Sequence, residues 1–117
     1  MQKSNSVYSL LKEAKSHIDS KSKWCKKYVG KDANGRLTPT LSDKTKQFCS
    51  IGALYFVEKN YTPNLYREAH LILNASVPKS FNMESIIRYN DDKSVSYEKV
   101  MKVWDKAINK AKQLKND

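Results

Sequence analysis

Cysteine, glycine and proline are all scarce in this chain of 117 residues, and so is arginine. Two cysteines, Cys25 and Cys49, do not make a disulfide framework. Three glycines and three prolines argue against a loop-rich all-β sandwich. Gly30, Gly35 and Gly52 fit no phosphate-cradling loop. No segment reaches the roughly 20 apolar residues that cross a bilayer. The start, Met1-Gln2-Lys3-Ser4-Asn5-Ser6, lacks the apolar stretch of a secretory signal. His17, Cys25, Cys49 and His70 include no short-spaced pair of metal ligands, so neither metal nor cofactor is expected. The resulting expectation is a reduced, intracellular, cytoplasmic protein.

What the chain does have is positive charge. Lys and Arg number 22 against 12 Asp and Glu, a formal net charge of +10. Nineteen of the cations are Lys and three are Arg: Arg36, Arg67 and Arg88. Lysine is a mobile point charge, which suits general attraction better than bidentate reading. The excess is uneven: residues 1–47 carry +7, residues 48–90 carry +1 and residues 91–117 carry +2. The first third therefore dominates the field and favours acidic partners.

The longest uncharged stretch is Gln47-Phe48-Cys49-Ser50-Ile51-Gly52-Ala53-Leu54-Tyr55-Phe56-Val57. It reads as the core of a central buried helix over about 43–59, capped by Ser42 or Asp43, with Phe48, Cys49, Gly52, Ala53 and Phe56 on one face. Ile51, Leu54 and Tyr55 widen that face, so little of this helix after Lys46 should meet water. Gly52 in mid-helix costs about 1 kcal/mol relative to Ala, which points to a neighbour approaching too closely for a β-carbon.

Around it, Val7, Leu10, Leu11, Ala14 and Ile18 give a first amphipathic helix over 7–18, with Ser6 as N-cap. Pro63 after Thr62 starts a helix over about 63–75, with Leu65, Ala69, Ile72 and Leu73 inward. Asn82 can cap a short helix over 83–89 that carries Met83, Ile86 and Ile87. Ser96 caps a last helix over 97–115, whose inner stripe is Val100, Val103, Trp104, Ala107, Ile108, Ala111 and Leu114. Glu98 and Lys102 are spaced as an i,i+4 pair, and Lys102, Lys106 and Lys110 line the outer face, where such a stripe ordinarily serves solubility. Asn34-Gly35 is the strongest turn signal. It allows a small hairpin between Tyr28-Val29 and Arg36-Leu37-Thr38, or an ordered loop anchored by Trp24 and Tyr28. The expected architecture is mainly α: one domain over 1–117, about five helices around the central one.

These residues resemble a family of short uncharacterised proteins from bacterial and phage genomes, described as a domain of unknown function. The resemblance rests on Trp24, Tyr28, Asp32-Ala33-Asn34-Gly35, Phe48-Cys49-Ser50-Ile51-Gly52-Ala53-Leu54, Asn90-Asp91, Val100 and Ala107-Ile108-Asn109-Lys110-Ala111. It spans about residues 24–111. It implies a phage or mobile-element setting and no established activity. The family pattern is less basic around the Trp, which sets Lys23, Lys26 and Lys27 apart.

Three functions compete. Lys21, Lys23, Trp24, Lys26, Lys27, Tyr28 and Lys31 make a basic run with interleaved aromatics, suited to an acidic macromolecule, a protein ahead of a nucleic acid. Under that reading the protein is non-enzymatic and docks on a host or phage macromolecule, by analogy inhibiting a host enzyme or defence system. The second is sequence-indifferent nucleic-acid binding, with lysines on phosphates and rings stacked on bases; no recognition-helix, RNA-sheet or finger signature accompanies it. Against stacking stands the plainer reading that Trp24 plugs the core. The third is a cysteine enzyme using Cys49, His70 and Asp91 or Asn90. A thiol amid Phe48, Ile51 and Gly52 in mid-helix is more ordinarily inert core. Phe48, Cys49, Gly52, Ala53, Asn90, Asp91 and Trp104 are accordingly expected to be structural, with Asn90-Asp91 as a turn whose side chains cap backbone amides between two helices.

Overall fold

The computed structural model describes residues 6–38 and 41–115. Five helices appear in the order α1 (Val7–Ser16), α2 (Ser50–Val57), α3 (Pro63–Ser76), α4 (Ile86–Asp91) and α5 (Tyr97–Lys115). Two short strands, β1 (Gly30–Asp32) and β2 (Thr45–Phe48), lie between α1 and α2. The fold is mainly helical, as the sequence predicts, and its radius of gyration is 13.6 Å, against about 13 Å for a folded chain of this length.

The amphipathic helices form where their stripes place them. Ser6 caps α1 by accepting the Ser9 amide at 3.2 Å. Leu10, Leu11 and Ala14 are buried, and Ile18 is buried just beyond the helix end. Pro63 occupies the first turn of α3, whose Leu65, Ala69 and Leu73 are buried. Ser96 accepts the Lys99 amide at the start of α5. Val100, Val103, Trp104, Ala107 and Ala111 point inward from α5. α1, α3 and α5 pack on one another, and α2 lies against α1 and α4. Leu114 is exposed, one turn past the last inward residue. Among the described residues no ion pair joins Glu98 to Lys102; the pairs formed are Lys15–Asp105 and Lys23–Asp19.

The centre of the chain departs from the expected helix over 43–59. Its first part is strand β2, in which Thr45 and Phe48, on opposite faces of the strand, are both buried, while Lys46 is exposed and Gln47 half-buried. Ser42 and Asp43 do not cap a helix; Ser42 shares a turn with Thr45, its carbonyl and hydroxyl accepting the Thr45 and Lys44 amides. β1 pairs antiparallel with β2, Gly30 opposite Phe48 and Asp32 opposite Thr45, with an irregularity between Lys31 and Asp32. On the other side of Phe48, Trp24 forms a parallel bridge, and the Cys25 amide donates to the Phe48 carbonyl. The Asn34-Gly35 turn does form, with Asp32 accepting the Gly35 amide and Lys31 bridged to Leu37. The expected hairpin is thus reduced to one bridge, and the named strand partner lies in the stretch read as helix. α2 is short and starts only at Ser50. Tyr55 on it is exposed, stacked on Tyr66 at 5.0 Å between ring centres, so that part of α2 meets water.

Gly52 meets its expected neighbour. A β-carbon there would lie 1.9 Å from the Val29 carbonyl oxygen, so the chain entering β1 crosses α2 in direct backbone contact. Asn82 takes a left-handed conformation (φ 66°) after a 3-10 turn and caps no α-helix. The next cap is Ser85, whose side chain accepts the Arg88 amide. Starting there, α4 turns Ile86, Tyr89 and Asn90 inward and leaves Met83 and Ile87 exposed.

Candidate functional site

The basic run is held in place by a buried asparagine. Asn90, 1% exposed, stands in the last turn of α4. Its Oδ1 accepts three hydrogen bonds: from Trp24 Nε1 at 2.8 Å, from the Ser50 amide at 3.1 Å and from Ser50 Oγ at 2.8 Å. Its Nδ2 donates to the Cys25 carbonyl at 3.1 Å and to Asp91 Oδ1 at 3.0 Å. Ser50 Oγ in turn accepts Trp104 Nε1 at 3.0 Å. Two indoles, a serine and an asparagine from four distant segments thus close one satisfied polar cluster inside the core. Such a cluster holds only if every member is paired. Among the described residues no buried side-chain nitrogen or oxygen lacks a partner.

The same end of α4 clamps the residues after Trp24. Asp91 Oδ1 accepts the Lys27 amide at 2.7 Å, and Lys27 sits at φ 73°, a left-handed conformation unusual for a lysine. Lys26 Nζ donates to the Val95 carbonyl at 2.7 Å and to the Asp92 carbonyl, and lies 5.6 Å from the centre of the Trp24 ring. A cation at the carbonyl end of a helix is favourable. Asn90 and Asp91 thus bond the Ser50 and Lys27 amides from the last turn of α4, Asn90 buried and Asp91 half-buried, and not from an interhelical turn.

This arrangement sorts the seven binding candidates. Trp24 is 9% exposed and bound by its indole nitrogen, so its ring is not offered to a base, and its place in the binding set is corrected to the core. Lys26 is half-buried with its ammonium spent on two carbonyls, and is likewise a clamp. Lys23 is exposed and paired with Asp19 at 3.0 Å. Lys21, Lys27 and Tyr28 are exposed, Tyr28 at 44%. Lys31 places its ammonium 5.4 Å from the Tyr28 ring centre. Leu37 and Arg36, on the far side of the Asn34-Gly35 turn, are exposed as well, and the sequence reading missed both. Part of the signal was available: both residues follow directly on the Asn34-Gly35 turn, and turns run over the protein surface.

Cys49 is not in mid-helix. It is the N-cap of α2, and its Sγ accepts the Gly52 amide at 3.3 Å. Burial pushes this thiol up, against the opposing pull of the Gly52 and Ile51 amides. Burial, then the neighbouring Cys49, pushes the Cys25 thiol up to about 11. Burial holds the His70 imidazole below its ordinary value, and its ring neighbour is Tyr66. No hydrogen bond joins Cys49, His70 and Asp91 among the described residues; the Asp91 carboxylate is taken by Lys27 and Asn90. Phe48, Gly52, Ala53, Asn90 and Trp104 are buried. Among the described residues no cluster of metal-ligating side chains occurs, and no helix is long and apolar enough to cross a membrane.

No curated protein and no solved structure matches the chain. A family model does match, over residues 2–110, and the chain belongs to that family, a family of unknown function (DUF6197).

Proposed function

We propose that the protein is a non-enzymatic binding module that docks an acidic protein surface on the face formed by Lys21, Lys27, Tyr28, Lys31 and Arg36. The observation that carries the reading is the Tyr28–Lys31 pair: an exposed aromatic ring with an ammonium 5.4 Å from its centre, on a loop fixed from beneath by Asn90 and Asp91. Tyrosine and arginine are the residue types that anchor protein interfaces, and a loop already ordered loses little entropy on binding. Lysines around such an anchor steer an acidic partner and raise the on-rate. A phage or mobile-element setting fits, with the partner a host or phage macromolecule in the cytoplasm and inhibition of a host enzyme or defence system as the effect. That no hydrogen bond joins Cys49, His70 and Asp91 among the described residues supports leaving catalysis out.

The experiment is capture of partners from host lysate with nuclease-treated and untreated samples in parallel. A protein complex that survives nuclease and is lost in Lys27→Glu/Lys31→Glu supports the reading. Sequence-indifferent nucleic-acid binding is the second reading, favoured by the net charge of +10. It predicts retention on DNA or RNA that falls steeply with salt. The burial of Trp24 weighs against it, because only Tyr28 of the two rings in this run is left to stack.

A further inference from the structure

α5 carries a second basic feature that the docking face does not use. Lys99, Lys102 and Lys106 follow at three- and four-residue spacing, so they rise from one side of the helix. That side is exposed and borders a hollow. Across from it runs the connection from the end of α3 through Pro78 to Phe81, and between the two lies a cavity of about 510 Å³. This is within the range of small-molecule sites, roughly 300–1,000 Å³. Its inner wall is apolar, with Phe81, Tyr89, Val95 and Val103, and the Phe81 and Tyr89 rings meet edge to face at 5.0 Å. Among the described residues no carboxylate lines it. The carbonyl end of α3 already has a cation, since Lys110 donates to the Ala75 carbonyl at 3.4 Å. The ammonium groups of Lys99, Lys102 and Lys106 have no protein partner among the described residues.

Three unpaired ammonium groups at one rim of an apolar cavity concentrate positive charge there, and like charges at this spacing repel. They match a ligand with a concentrated negative charge and an apolar body. Three lysine point charges match the nearly double negative charge of a phosphate monoester better than the single charge of a carboxylate, and the exposed Ser80 hydroxyl adds a neutral donor at the rim. We propose that this cavity binds a small phosphate monoester, its phosphate between Lys99, Lys102 and Lys106 and its ring or chain against Phe81, Tyr89 and Val103.

Amide NMR of the full chain tests this with phenyl phosphate, adenosine monophosphate, glucose 6-phosphate, benzoate and inorganic phosphate as probes. The expected result is saturable shifts at Ser80, Phe81, Val95 and Val103 with at least one monoester. Benzoate and inorganic phosphate should bind about tenfold more weakly than that monoester. Lys102→Gln/Lys106→Gln should weaken it about tenfold. Lys44→Gln/Lys46→Gln, which removes equal charge elsewhere, should leave it unchanged. Three results would each overturn the proposal: no shift at these amides with any monoester at about 5 mM, a concentration that would reveal even millimolar binding; equal weakening by the two double variants, meaning net charge alone; or inorganic phosphate binding as tightly as the best monoester. All four lysines are exposed, and circular dichroism of each variant would establish that the fold is kept.

Discussion

Asn90 holds the first residue of α2 by two bonds at once, its Oδ1 accepting both the amide and the hydroxyl of Ser50. The first amides of a helix have no partner inside it. Here one of them is satisfied from α4, 40 residues away in sequence. The same oxygen takes Trp24, so the start of α2 and the root of the basic loop depend on a single side chain.

Asn90→Ala leaves the Trp24 indole, the Ser50 amide and the Cys25 carbonyl buried without this partner. Each unsatisfied buried group costs about 1–3 kcal/mol. Relaxation and entering water will recover part of that, so the expected loss is about 3 kcal/mol in urea unfolding. A loss below about 1 kcal/mol, the range of an ordinary surface change, would show that the cluster is not a unit.

Gly52→Ala separates propensity from packing. In an open helix the change stabilises by about 1 kcal/mol. Here the new methyl would sit 1.9 Å from the Val29 carbonyl oxygen, a backbone atom that cannot rotate away. The expected sign is reversed, with destabilisation of about 2 kcal/mol or more, as for other overpacked sites. Stabilisation would mean that the chain before β1 does not cross α2 closely.

Much of this architecture was legible in the residues, and the failures have a common cause. α1, α3 and α5 carry polar residues between their apolar ones, so period and phase could be read. Gln47–Val57 carries no charge, and with no polar face there was no phase to say where strand gave way to helix. Thr45 was the available sign, a β-branched residue before Lys46, with the extended Cys49 acting as cap. Gly52 announced a close neighbour but not that it was Val29. The polar cluster was out of reach because its members, 24, 50, 90 and 104, meet only in the folded chain. The resemblance drew attention to Trp24 and Asn90-Asp91 without saying that they touch. Lys26 looked like its basic neighbours because nothing local marks an ammonium that ends on carbonyls of residues 92 and 95.

Lys26→Met should therefore behave unlike Lys21→Met. The first removes charged hydrogen bonds to two carbonyls, each worth about 1.5–3 kcal/mol when intact, offset in part by the retained stem. A loss of about 1–2 kcal/mol is expected in thermal or urea unfolding. The second touches an exposed side chain and should stay within about 0.5 kcal/mol. Equal effects would remove Lys26 from the clamp.

The thiols give a pH signature. Cys25 holds its proton to about 11 when folded, against 9.0 for the free thiol, so between these values the folded state binds more protons than the unfolded one. Stability should therefore be full below pH about 9 and fall as pH rises toward 11. Cys25→Ser should flatten that decline. At neutral pH both native thiols should react with iodoacetamide far more slowly than in the unfolded chain. Fast labelling of native Cys49 would reopen the cysteine chemistry.

The docking face is tested most directly by Tyr28→Ala and Lys27→Glu/Lys31→Glu in the nuclease-treated capture experiment. The account predicts one defined protein partner with the parent chain, its loss in both variants, and its retention in Lys102→Gln/Lys106→Gln. Unchanged capture by the Tyr28 and Lys27/Lys31 variants, or a complex that disappears with nuclease, would contradict it.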